Sequence, residues 1–155
     1  YVGDARSLDK IDDGHVDLVA TQPPYAGMIA YTADRKDGDL SALKLEPFLD
    51  EMEVVAREAL RVLRPGGHCA ILVGDTRKHL HYIPIAIPVM HAFLNVGFLL
   101  REDIIKQQWK TKVTRERWGG SRHNFLRIAH EHLFIFRKAD QDERTTRLRF
   151  SRRWW

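Results

Sequence analysis

The sequence predicts an α/β fold built on an open sheet, and three observations predict it. Two short apolar runs, residues 16–20 and 68–74, are bounded by turn residues and read as buried strands. Between them, residues 46–63 carry apolar side chains at helical spacing. Two late runs, residues 98–107 and 128–137, read as two further strands.

The elements follow in order. Tyr1-Val2 reads as the end of a short strand, with Asp4 just beyond it, at the sheet edge where ligands bind in open α/β folds. Asp4 also suits a turn or helix cap over residues 5–8. Asp12-Asp13-Gly14 is a turn, and Asp17 reads as a hydrogen-bonding residue of the strand at 16–20. That strand runs into Thr21-Gln22-Pro23-Pro24-Tyr25. Each proline fixes φ, lacks an N–H and pushes the residue before it toward extended backbone. The result is a stiff loop whose carbonyls at Gln22 and Pro23 are free to accept from a ligand, beside the flat face of Tyr25. A planar ring with an exocyclic amino group fits such a place, because the ring stacks and its amino hydrogens find acceptors.

Residues 26–42 are long, irregular and acidic, and read either as a lid over a target base or as a solvated loop; Tyr31 stacks on a base or packs on the domain. In the helix at 46–63, Phe48, Met52, Val55, Ala59 and Val62 share one stripe, Pro47 suits the first turn, and Pro65-Gly66-Gly67 stops it. After the strand at 68–74 comes Asp75-Thr76-Arg77-Lys78, at the same edge as the Pro-Pro-Tyr loop. Asp75 orients that loop or touches substrate, Arg77 and Lys78 hold a phosphate, or all are ordinary loop polarity. Residues 82–96 read as a helix whose first turns are disturbed by Pro84 and Pro88, with Gly97 as its C-cap.

The connection at 108–127 is the candidate nucleic-acid contact. Lys106, Lys110, Lys112, Arg115, Arg117, Arg122 and Arg127 are interleaved with Trp109, Trp118, His123 and Phe125. Cations neutralise phosphates while flat side chains stack on unpaired bases. The competing reading is a solvated loop with its aromatics tucked into the core. Residues 139–155 form a basic tail behind the body at 1–138.

Composition sets the outer bounds. The 155 residues suffice for one domain with its own core, at 44% hydrophobic and 30% charged residues. A net charge of +4 and a pI near 9.4 are mildly basic. There is no apolar run of spanning length and no signal-peptide pattern, so a cytoplasmic protein without a membrane partner is expected. Cys69 is alone in a strand pattern and reads as a buried small residue; no Cys/His spacing suggests zinc, so no metal is expected.

Four segments in this order resemble one family. Gln22-Pro23-Pro24-Tyr25 is similar to the Pro-Pro-aromatic motif of the S-adenosylmethionine-dependent amino-methyltransferases. Gly3-Asp4-Ala5 through Leu8 resembles the family's Gly-Asp-Ala segment, and Leu63-Arg64-Pro65-Gly66-Gly67 its Leu-x-Pro-Gly-Gly turn. The run from His130-Glu131-His132 to Arg137-Lys138 resembles the closing strand of the N4-cytosine and N6-adenine DNA methylases. The first motif position is usually Asp, Asn or Ser; here it is Gln22, whose longer stem alters the reach to an amino group.

The resemblance implies a Rossmann-like class I methyltransferase sheet in which the strands at 98–107 and 128–137 pair as an antiparallel carboxyl-terminal hairpin, with S-adenosylmethionine as cofactor and DNA as partner. It implies catalytic roles for Gln22, Pro23, Pro24 and Tyr25, and cofactor contacts at Asp4, Ala5 and Thr21. An RNA guanine-N2 methyltransferase and a non-catalytic nucleic-acid-binding half-domain are the alternatives. No Gly-x-Gly pattern occurs in the sequence. Because the family's Gly-rich cofactor loop comes from its first strand, the resemblance implies either a sheet incomplete on its amino-terminal side, with an exposed edge calling for a complementary upstream segment or self-association, or a divergent enzyme with a reduced cofactor site.

Overall fold

The computed structural model describes residues 2–25, 38–109 and 125–152. Its core is a four-stranded sheet. Strand β1 (Val16–Thr21) lies parallel to β2 (Leu63–Val73), and β2 lies antiparallel to β6 (His130–Arg137). Strand β5 (Leu99–Gln107) pairs antiparallel with β6, so the predicted hairpin forms. The order across the sheet is β1-β2-β6-β5. Helix α1 (Leu45–Val62) connects β1 to β2, which is what a parallel neighbour requires.

Helix α1 forms as its pattern predicts. Phe48, Met52, Val55, Ala56, Ala59 and Val62 are buried, on the one face of the sheet that α1 shares with α2 (Ala86–Asn95). Cys69, Ile71, Phe134 and Phe136 meet them from the sheet. Phe93 of α2 stacks on Phe136 with ring centroids 5.1 Å apart. Alternation along the strands sends Ala70, Leu72, Leu133 and Ile135 to the opposite face, where they are half-buried.

The carboxyl end of α1 is closed from a distance. The Lys138 ammonium donates to the carbonyls of Leu60 and Leu63 at 2.8 and 2.7 Å, satisfying acceptors that the last turn leaves open. The chain then extends at once into β2 rather than pausing in a turn. Gly66, at φ +73°, donates its N–H to the Lys138 carbonyl at 3.1 Å.

Several expectations are corrected. The strand at 16–20 is not buried: it lies at the edge of the sheet that the described residues form, and Leu18 is 58% exposed. Among the described residues Val2 takes no strand and is fully exposed; Tyr1 lies outside them. Residues 76–83 form a small hairpin, β3 (Thr76–Lys78) with β4 (His81–Ile83), turned through His79 and Leu80, both at positive φ. The helix expected over 82–96 therefore starts only at Ala86, since Pro84 cannot continue the backbone bonding that a helix needs. Gly97, at φ +112°, ends it as predicted.

The tail packs on the body. Arg137 pairs with Asp140 and Glu143, a short turn spans Thr145–Leu148, and α3 (Arg149–Arg152) follows. Among the described residues no helix is long and apolar enough to cross a membrane.

Candidate active site

Strand β1 delivers Thr21 and the Gln22-Pro23-Pro24-Tyr25 loop to the carboxyl edge of the parallel pair. Gln22 and Thr21 are exposed there, Pro23 is buried, and Pro24 and Tyr25 are half-buried. Burying Pro23 costs little, because its nitrogen carries no proton that needs a partner.

Tyr25 is fixed from the far side of the sheet. Its hydroxyl donates to Glu131 Oε1 at 2.6 Å, and Lys106 Nζ donates to Glu131 Oε2 at 2.6 Å. Glu131 is 4% exposed, and the Gln108 side chain also bonds to it. Burial by itself would raise this carboxyl. The hydrogen bonds from Lys106, Tyr25 and Gln108 outweigh it and hold the group below its ordinary value, so the carboxylate stays charged. Gly74 makes room for the arrangement: a Cβ there would sit 3.0 Å from the Tyr25 hydroxyl and 3.2 Å from Glu131 Cγ. A clamp thus joins the loop after β1, the end of β2, β5 and β6.

The other expected site residues divide. Asp4 Oδ1 accepts the Arg6 backbone N–H at 2.9 Å, and its carboxylate pairs with the Arg6 guanidinium, which also reaches Glu51. Asp4 thus makes the turn-capping bond that its position allows, and the bonds from Arg6 lower its pKa. Ala5 is exposed beside it. Asp75 accepts the N–H groups of Ile85 and Ala86, both at 2.7 Å, capping α2. Arg77 braces the returning chain by donating to the Leu126 carbonyl at 2.7 Å and lying 4.3 Å from the Phe125 ring centroid. It is engaged with protein, and Lys78 beside it is exposed.

Of the nucleic-acid candidates, Lys106 is tied to Glu131 and Trp109 is 75% exposed. Lys110, Lys112, Arg115, Arg117, Trp118 and Arg122 lie outside the described residues, as do Tyr31 and most of the expected lid.

Sequence reasoning missed the roles of Glu131, Gly74 and Lys138. The signal for Glu131 was present: an acid at an alternating position inside an apolar strand is costly to bury unless it is paired. The partners themselves lie far away in sequence.

A family model described as DNA methylase, of the N6/N4 type, matches residues 16–153. The type II methyltransferase M.MthZI of Methanothermobacter thermautotrophicus is 27% identical over 157 residues, covering 89% of this chain and 44% of that protein. The structure of TTHA0409 of Thermus thermophilus, described as a candidate DNA modification methylase and complexed with S-adenosyl-L-methionine, superposes with a TM-score of 0.65. It is 28% identical and covers 94% of this chain and 57% of its own. The cytosine-N4-specific PvuII DNA methyltransferase shares the fold, with a TM-score of 0.72 at 19% identity over 97% of this chain and 53% of its own. The chain spans about half the length of the curated relatives it matches.

Proposed function

The chain belongs to the N6/N4 DNA methylase family, and on that premise we propose that it carries the methyl-acceptor site of a DNA amino-methyltransferase, acting on N4 of cytosine or N6 of adenine. The observation that carries this reading is the clamped tyrosine: the 2.6 Å bond from Tyr25 to Glu131 holds a flat ring still beside the Gln22 and Pro23 acceptors.

The chemistry needs such a site. The lone pair of an exocyclic amine is delocalised into its ring, so the nitrogen is a poor nucleophile. With the base flipped out of the duplex and stacked on Tyr25, the Gln22 amide oxygen and the Pro23 carbonyl accept its amino hydrogens. This favours a pyramidal nitrogen and frees its lone pair for in-line attack. Positioning is then the main catalytic effect. Gln22 is neutral and accepts without taking the proton, which leaves to water after transfer.

S-adenosylmethionine supplies the electrophilic methyl group when bound. The described residues fit part of that role: Thr21 and Gln22 are exposed at the end of an edge strand, and β1 has no strand on its outer side among the described residues. Thr21 would line the cofactor there. Asp4, whose carboxylate already accepts from Arg6, and Ala5 would flank the cofactor there. DNA, restriction-modification pairing and a cytoplasmic setting belong to this reading, with Lys106, Trp109 and the segment beyond them as the strand contact.

The test is methyl transfer from labelled S-adenosylmethionine to a mixture of genomic DNA and tRNA, with nucleosides identified by mass spectrometry. N4-methylcytosine or N6-methyladenine supports the proposal. N2-methylguanosine from the tRNA moves the protein to the RNA class.

A further inference from the structure

We propose that His130, His132 and Asp75 form a binding site for a divalent transition metal of the zinc type, on the face of β6 opposite Glu131. The three side chains offer ligand atoms that all lie within 4.8 Å of one another, and each residue is half-buried, open enough for an ion to enter.

The fold creates this juxtaposition. His130 and His132 are two apart on one strand, so both project from the same face while Glu131 projects from the other. Their rings stand edge to face with centroids 5.3 Å apart. Val73 pairs with His132 across the antiparallel β2–β6 ladder, and continuing that register sets Asp75 opposite His130. Two imidazoles and a carboxylate therefore converge where the two strands end.

Two of the three ligands are already oriented by hydrogen bonds. His132 Nδ1 faces the Asp103 carboxylate at 3.0 Å, an arrangement that places the proton on Nδ1 and leaves Nε2 as a lone-pair donor. A carboxylate on the far nitrogen of a metal-binding histidine fixes its tautomer and ring orientation. His132 is held further by stacking on Phe134, with centroids 5.3 Å apart. Asp75 is pinned by the Ile85 and Ala86 N–H groups on Oδ1 and by the Tyr82 hydroxyl on Oδ2. A carboxylate has about four acceptor positions, so three donors leave one on Oδ2.

Mixed imidazole and carboxylate ligands suit zinc and its neighbours rather than magnesium or calcium. Three protein ligands leave a fourth position for water. Occupancy would tie the start of β6 to the β2–α2 junction and stiffen the edge that carries the Pro-Pro-Tyr loop.

The test is calorimetric titration of Zn²⁺ into the chelator-stripped full chain near neutral pH, with melting followed in parallel. One ion per chain and a raised melting temperature are expected. His130→Ala and Asp103→Asn should each weaken uptake, the latter by about 10–100-fold as for other outer-shell partners. His130 begins a strand and is half-exposed, so its removal spares the core; circular dichroism checks this. His81→Ala, on the neighbouring hairpin, should leave uptake unchanged. Absence of saturable uptake by the folded chain, or affinity unaltered in His130→Ala, would overturn the assignment.

Discussion

The Tyr25 hydroxyl and the Glu131 carboxylate meet at 2.6 Å although 106 positions separate them in the chain. The bond joins the loop after β1 to β6, a strand inside the sheet. In the proposed reading Glu131 is a positioning residue, acting by holding the tyrosine ring. Tyr25→Phe separates that role from stacking. The ring remains, but Glu131 loses a donor in a nearly buried place, costing about 1–2 kcal/mol of stability. Methyl transfer should fall roughly tenfold through kcat, with KM for DNA little changed, because small misplacements of a reacting group are expensive.

Tyr25→Ala removes the platform itself. DNA binding should weaken by roughly 1–3 kcal/mol, the usual worth of stacking a base on an aromatic side chain. Affinity for S-adenosylmethionine, measured by calorimetry, should stay near wild type. Equal loss of both would mean that Tyr25 serves the cofactor instead.

Gly74→Ala probes the same clamp by crowding. Its new methyl would lie 3.0–3.3 Å from the Tyr25 ring edge, the Tyr25 hydroxyl and Glu131 Cγ, so those groups must shift by a few tenths of an ångström. Overpacking of this kind costs about 1–3 kcal/mol. Activity should drop while circular dichroism still reports a folded chain.

Acid should loosen the clamp. The Glu131 carboxyl is held below its ordinary value of 4.5, so it binds fewer protons in the native state than in the unfolded one. Its contribution to stability is complete above about pH 4.5 and fades as pH falls through the lowered native value. Denaturation curves from pH 7 to pH 3 should show Glu131→Gln with a shallower acid limb than the wild type. An identical limb would show that Glu131 carries none of the acid sensitivity.

How far the sequence alone reaches depends on the range of the interaction. Helix α1 is legible because its stripe of Phe48, Met52, Val55, Ala59 and Val62 is a local pattern. Strands β2, β5 and β6 are legible from short apolar runs, and the Pro-Pro-Tyr loop from proline's fixed geometry. Strand β1 reads as buried because Val, Leu and Ala resemble a core strand; which strand sits at the edge is decided by neighbours, not by composition. The β3–β4 hairpin escapes because His79 and Leu80 are poor markers of a positive-φ turn. Glu131 and Lys138 look like parts of a closing strand, and their partners 106 and 75–78 positions away leave no local trace.

Lys138 illustrates the last case. Its ammonium closes two carbonyls at the end of α1, so Lys138→Met, which keeps the stem's bulk, should lower stability by about 1–2 kcal/mol. Chemical denaturation measures this directly, and a change below about 0.5 kcal/mol, the range of ordinary surface substitutions, would contradict the capping role.

The most direct test of the central claim is the nucleoside content of DNA from a methylation-free host expressing either the wild-type chain or Tyr25→Ala. The account predicts N4-methylcytosine or N6-methyladenine with the wild type and its near-disappearance with the variant. DNA methylation that persists undiminished in Tyr25→Ala would contradict it.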